Sequence, residues 1–314
     1  MMATTQQVAL IVGASRGIGR QVAIDLSKNG YTVVVAAKTV SDASKANPWP
    51  PNPNSQQSTI STVVREIEEL GGRAAAIQVD TRDFTSVTNM VNQTVSLFGR
   101  IDVLVYNSGA IWWASVANTP MKRFQLMQRV NPEGLYGTIH AALPVFERQG
   151  WQARIIVVSP PIYSRFFRGK TAYAMGKVGM SILTKGMAVD FEREGKTGMA
   201  ITSIWPAAAI ESAATQNPQT DRRELRKALI QKTIYSDAIL AMIRAPVDQV
   251  NGQLELDEDF LRKTGVTDFS KYSLVPGSEP RRIMPAELPD LTVAEQDDEG
   301  RRMDSAKLKK GSKI

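Results

Sequence analysis

At 314 residues with 43% apolar side chains, the chain can hold one large domain or two small ones around a proper core. The absence of cysteine and the single histidine, His140, exclude disulfides and thiolate catalysis and leave no histidine-built metal site, so no metal is expected. A net charge of +7 and an isoelectric point near 9.5 point toward nucleic acid, but the basic residues are dispersed among acidic ones, so no nucleic-acid partner is expected.

The residues ahead of Val8 lack the basic start and apolar centre of a secretion signal, and no apolar run approaches the roughly 20 residues that span a bilayer. A soluble intracellular protein without a membrane span is expected. Val8 to Val12 is a short apolar run that breaks into Gly13-Ala-Ser-Arg-Gly17-Ile-Gly19 and then turns amphipathic, which predicts a buried strand, a tight turn and a helix. Gly13 lets the chain leave the strand, Gly17 lets backbone approach a pyrophosphate, and Gly19 lets helix and sheet touch. The helix N-terminus then faces the phosphates with free N–H groups.

That helix stops at Asn29-Gly30, and an almost wholly apolar strand follows from Thr32 to Ala37. Residues 41–57 are rich in proline and asparagine and can continue neither element, so a loop is expected. Beyond it the pattern predicts helix 59–70, strand 74–79, helix 84–98, strand 101–106, helix 120–130 running on to about 149, strand 154–158, helix 172–193 and strand 199–205. The pattern lapses over 207–225, then allows helices near 221–232 and 235–244 and a last strand near 252–256. Strands and helices that alternate at this length imply a doubly wound parallel α/β sheet, a Rossmann fold, in one domain over 1–275. Residues 276–314 mix both charges with few large apolar side chains and read as an extended or flexible tail.

Ligands of such a sheet lie beyond the carboxyl ends of its strands. After the second strand the chain reads Ala36-Ala37-Lys38-Thr39, with no carboxylate to repel a ribose 2′-phosphate; Lys38, helped by Arg16 and Ser15, can receive one, which favours NADP(H). Asp80 ends the third strand, either as an acceptor for the adenine amino group or as a helix cap, and Asn107-Ser-Gly109 ends the fourth beside the cofactor. Tyr173 and Lys177 stand four apart, so phenol and ammonium share one helix face. A nearby ammonium favours the phenolate and lowers its pKa, which suits a tyrosine that protonates a carbonyl oxygen or deprotonates an alcohol.

Together these motifs resemble the short-chain dehydrogenase/reductase family over about residues 5–260. The resemblance implies a cofactor cradle at Gly13, Ser15, Arg16, Gly17, Ile18 and Gly19, an adenine-side acid at Asp80, and a catalytic pair at Tyr173 and Lys177, which also hold the nicotinamide ribose. It implies that Asn131 sits where its helix is locally disrupted to organise a relay water, and Pro132 suits this because a residue preceding proline avoids helical geometry. Asn131 as a helix cap is the alternative. Ala36 to Thr39, Ser159-Pro-Pro161, Trp205-Pro206, Gly252 to Asp257, Asp268 to Tyr272 and Pro276-Gly277 are similar to the hydroxysteroid-dehydrogenase-like branch, without the lipid-carrier domain that some of its members append.

Three departures stand out. Tyr106 replaces the first asparagine of the usual Asn-Asn-Ala-Gly, Ala207 replaces the usual glycine after Pro206, and Ser159 precedes Tyr173 by one residue more than usual. Ser159 is nonetheless read as the hydroxyl that orients the substrate oxygen, with Ser164 in reserve. Trp112, Trp113, Tyr163, Phe166, Phe167 and Trp205 fall at the rim, where they either line an apolar substrate pocket or pack in the core or between subunits. His140 reads as a packed or interface residue. The resemblance implies a homo-oligomer, dimer or tetramer, assembled through helices 120–149 and 172–193. Ser312-Lys-Ile314 resembles a peroxisomal address, so the location is cytoplasmic or peroxisomal. The expected activity is interconversion of a carbonyl and an alcohol on a lipophilic or aromatic small molecule; the alternative is an idle NADP-binding sensor or assembly protein.

Overall fold

The computed structural model describes residues 6–215 and 226–288. Seven parallel strands form one sheet in the order β3-β2-β1-β4-β5-β6-β7. They are β1 (Val8–Val12), β2 (Thr32–Ala37), β3 (Ala74–Gln78), β4 (Val103–Tyr106), β5 (Ala153–Val158), β6 (Met199–Trp205) and β7 (Leu254–Leu256). The helices are α1 (Gly17–Lys28), α2 (Ile60–Glu69), α3 (Phe84–Phe98), α4 (Met121–Gln128), α5 (Gly134–Arg148), α6 (Thr171–Arg193), α7 (Thr233–Arg244), the single turn α8 (Val247–Val250) and α9 (Asp257–Lys263).

The strands are apolar throughout because both faces of the sheet are covered. On one face Ala9, Ile11, Val33 and Val35 meet α1, α2 and α7 through Leu26, Ile67 and Ile239. On the other, Leu10, Val12 and Val34 meet α3, α5 and α6 through Met90, Ile139 and Met180. Alternate residues of one strand thus serve different helical layers. The strand order reverses between β1 and β4, whose ends, Val12 and Tyr106, stand in register and open the crevice where a ligand can enter.

The helix expected over 120–149 is interrupted. Arg129–Glu133 forms a wider π turn between α4 and α5, because Pro132 has no N–H to donate to the regular ladder. Tyr106 stabilises this turn by donating its hydroxyl to the Val130 carbonyl at 2.5 Å, and that hydroxyl, with Thr81, leaves no room for a side chain at Gly134. The 41–57 insertion lies along α2, where Trp49 stacks under Arg65 and donates to Glu69.

Two expectations need correction, and one becomes more specific. The helix expected over 221–232 does not run to its end. Residues 221–225 lie outside the described residues, and Ile230 forms isolated bridges to Ile210 and Ser273 instead. The last strand spans only Leu254–Leu256. The tail expected from 276 is extended and docked as far as it is described. Ile283 donates to the Ala207 carbonyl at 2.7 Å, Arg282 pairs with Asp259, and Met284 is buried. Residues 289–314, with the Ser312-Lys-Ile314 match, lie outside the described residues.

Candidate active site

Two cavities meet at the crevice. The first, about 630 Å³, is lined by Gly13, Ser15, Arg16, Gly17, Ile18, Lys38, Asp80, Arg82 and Asn107. Its geometry fits a dinucleotide. A Cβ on Gly13 would stand 2.5 Å from the Ser108 nitrogen, and one on Gly19 would stand 2.3 Å from the Gly13 carbonyl, so the turn closes only with glycine at both. Gly17 has a φ of +59° and open space before it, which leaves room at the α1 N-terminus for a phosphate. Arg16 provides no side-chain cap there, so first-turn N–H groups remain for a ligand. The Gly17 N–H itself goes to Pro53 O at 2.8 Å, and Ser58 donates to the Ser15 carbonyl, so the insertion braces this turn. Asn107 ties β4 to the turn by donating to Gly13 O at 2.8 Å.

Asp80 accepts from Arg82 at 2.5 Å and from Lys38 at 3.0 Å. The Arg82 hydrogen bonds hold its carboxyl well below the usual range, with a smaller contribution from Lys38, so it stays ionised. Arg16, Lys38 and Arg82 still outnumber this one carboxylate, leaving this end of the groove positive.

The second cavity, about 870 Å³, is lined by Tyr173 and Lys177 on α6 and by an aromatic wall that includes Trp113, Tyr163, Phe166 and Trp205. Ile18, Asn107, Gly109 and Ile111 border both cavities, so groove and chamber share a wall. Lys177 is 3% exposed and donates to Val158 O at 2.7 Å; burial pulls its ammonium down to about 7. Burial likewise pushes the Tyr173 phenol above its ordinary value. This corrects the expectation of a lysine-lowered phenol, because in this state desolvation dominates and Lys177 is spent on the strand end. Asn131 is fully buried, and its amide accepts from Ala110 N at 2.8 Å and donates to Ala110 O at 3.2 Å. Its side chain fixes the backbone beside Lys177.

The structure does not bring Ser159 into the chamber. Its side chain is fully buried and accepts from Ser181 of α6 at 3.0 Å. Ser159 N donates back to Val157 O at 3.0 Å, a tight reversal ahead of two prolines that turns the hydroxyl into the layer behind. The reserve residue Ser164 opens a short 3₁₀ turn, Ser164–Phe167. Of the rim aromatics, Trp113, Tyr163, Phe166 and Trp205 line the chamber, while Trp112 and Phe167 pack in the cluster beside it. His140 is exposed and stacks on Tyr136, 6.0 Å between centroids.

Sequence reasoning missed three contributors. Asp257, buried at the start of α9, accepts from Ala207 N at 2.8 Å and so holds the Pro206–Ala207 turn without glycine. Burial pushes its carboxyl up to about 7. Ile283 and Met284 close one side of the chamber, and no local pattern marks them. Lys170 also lines it; its signal was a basic residue one turn before Tyr173, at the end of an aromatic stretch that also carries Arg165 and Arg168.

A parallel sheet with a glycine cradle at its switch point, joined to a chamber holding Tyr-x-x-x-Lys, defines the class of nicotinamide-dependent oxidoreductases that act on CH–OH and C=O groups. The profile described as short chain dehydrogenase matches residues 7–48 and 53–223, and the chain belongs to that family. It is 37% identical over 269 residues to hydroxysteroid dehydrogenase-like protein 2 of Danio rerio and 35% identical over 272 residues to that of Homo sapiens. Each match covers 85% of this chain, and the chain spans about 60% of the length of these curated relatives. A short chain dehydrogenase from Mycobacterium thermoresistibile superposes with a TM-score of 0.75 at 32% identity, covering 88% of this chain and 93% of that one. No described helix is long and apolar enough to cross a membrane.

Proposed function

We propose that this protein is an NADP(H)-dependent oxidoreductase that interconverts a carbonyl and an alcohol on a lipophilic or aromatic small molecule. The observation that carries the reading is the shared wall: the positively charged groove and the aromatic chamber meet at Asn107 and Gly109, with Tyr173 and Lys177 on the chamber side. Gly13, Ser15, Arg16, Gly17, Ile18 and Gly19 would cradle the cofactor phosphates, Lys38 with Arg16 the 2′-phosphate, and Asp80 and Asn107 the flanking groups. The bound cofactor supplies or accepts the hydride.

The chain's own groups handle the proton. A buried phenol whose pKa is raised stays protonated near neutral pH, so Tyr173 is poised to donate to a carbonyl oxygen. Lys177 then stabilises the phenolate across one helical turn and reaches the nicotinamide ribose. Asn131 positions Gly109 and Ala110 against Lys177: a Cβ on Gly109 would stand 3.5 Å from Nζ and 3.6 Å from Asn131 Oδ1. Ser159 anchors the strand end instead of meeting substrate.

The test is a titration with NADPH and NADH followed by tryptophan fluorescence, then a screen of aldehydes and ketones with the tighter one. Tighter NADPH binding with turnover supports the reading. No turnover across a broad panel shifts it to the sensor, and binding of neither nucleotide overturns it.

Exposed Phe84, Tyr136, Ile182 and Val189 on α3, α5 and α6 support self-association through these helices, and sedimentation as a monomer would refute it. The C-terminal Ser312-Lys-Ile314 supports a peroxisomal destination, testable by whether the full chain loses it on deletion of that tripeptide.

A further inference from the structure

The chamber beside Tyr173 is apolar on most sides, and its charged lining among the described residues is two lysines with no carboxylate. Lys177 is committed to the Val158 carbonyl and to the site described above. Lys170 has no such commitment. It stands at the N-terminus of α6, with its Nζ 4.2 Å from the centre of the Phe166 ring and 5.9 Å from that of Trp113. Lys38, Lys196, Lys232, Lys263 and Lys271 each stand near a carboxylate, whereas no described carboxylate pairs with Lys170.

Lysine can usually send its ammonium out to water along a flexible stem. Here the head group is kept against two rings at the chamber wall and half-desolvated, which pulls its pKa below the ordinary value with no neighbouring charge to offset the effect. Ring faces return only about 0.5–2 kcal/mol to a cation. An anion entering the chamber would return more, because a charge-assisted hydrogen bond in a water-poor site is among the strongest available.

We propose that Lys170 is the recognition point for a carboxylate on the substrate. On this reading, which rests on the proposed function, the chamber takes oxo acids and the corresponding hydroxy acids. Their apolar body lies among Trp113, Tyr163 and Phe166, and their reacting carbon faces Tyr173. A single ammonium neutralises a monoanion in full and a phosphate dianion only in part. Lys170 caps the helix that carries Tyr173, and both flank the same two rings: Nζ lies 4.2 Å from the Phe166 centre and 5.9 Å from that of Trp113, and the Tyr173 ring lies 6.1 and 6.2 Å from them, so the carboxylate stands a short spacer away from the carbonyl.

The chamber contains Trp113 and Trp205, so binding can be read without turnover. The full chain, with and without NADP⁺, is titrated with 4-acetylbenzoate and with its methyl ester, following tryptophan fluorescence. The acid should bind at least about tenfold more tightly than the ester, the scale of one charge-assisted hydrogen bond. Lys170→Gln should bring that preference below about twofold, and Lys170→Arg, which keeps the charge, should retain most of it. Equal affinity for acid and ester in the unaltered protein overturns the proposal, as does a preference that survives in Lys170→Gln. A protein that prefers the acid but reduces no carbonyl upholds the assignment of Lys170 while overturning the proposed reductase.

Discussion

The charged groove and the aromatic chamber share a wall but are built in different ways. The groove is made of strand ends and the turns that leave them: Gly13, Lys38, Asp80 and Asn107 each follow a strand, and backbone shape does much of the work. The chamber is made of pieces remote in sequence, from Ile111 and Trp113 through Phe166 and Trp205 to Ile283 and Met284, and side chains do the work. The first is a consequence of topology, whereas the second is assembled afterwards on that frame and is free to specify a substrate.

If the two regions divide labour in this way, substitutions should separate them. The largest effect belongs to Tyr173→Phe, which should cut turnover by roughly 10²–10⁴-fold with NADPH affinity nearly intact. Turnover retained within a factor of two would remove the phenol from the chemistry. Lys38→Glu should act only on the groove, weakening NADPH by about tenfold to a hundredfold relative to NADH. An unchanged preference would show that Lys38, already paired with Asp80, takes no part in selecting the phosphate.

Arg282→Ala should act only on the chamber. The guanidinium grips Asp259 at 2.7 and 2.6 Å and holds the segment that carries Ile283 and Met284. Loss of about 1 kcal/mol of anchoring should raise KM several-fold while leaving NADPH binding unchanged. A KM that does not move would mean the backbone bonds to Ala207 suffice to hold that segment.

Asp257→Asn touches neither cavity's lining and reports on the joint beneath the chamber. Burial puts the folded carboxyl near 7, against an ordinary 3.8. Between these values the folded protein keeps a proton that the unfolded chain has released, so stability falls as pH rises, by up to about 1.4 kcal/mol per pH unit. The asparagine variant should lose this slope in urea unfolding compared at pH 4.5 and 6.5, about two pH units spanning most of that window. Lys177, lowered to about 7, acts above that pH and in the opposite sense, so it does not confound the measurement.

The strands and the groove were readable because they depend on local signals. An apolar run, a glycine that must take a φ of +90°, as Gly13 does, and a proline that breaks a helix at Asn131 each act through their own backbone. The placing of Ser159 away from the chamber was not readable, for the complementary reason. Its spacing from Tyr173 identifies the right strand end, but whether Oγ faces the chamber or Ser181 depends on how the Pro160–Pro161 turn packs on α6. The tail was underestimated because its composition is poor in large apolar residues. Two backbone bonds to Ala207 and the pairing of Arg282 with Asp259 and Glu258 hold its described part in place all the same.

By itself, then, the sequence determined the doubly wound sheet, the glycine turn after its first strand and the placing of Tyr173 and Lys177 on one helix, because periodicity and glycine positions act over a few residues. Only the tertiary structure decided which side chains line the chamber, that Asp257 braces the turn after Trp205, and that Lys170 has no carboxylate beside it among the described residues. Those outcomes depend on burial and on partners far away along the chain, and neither is set until the layers have packed.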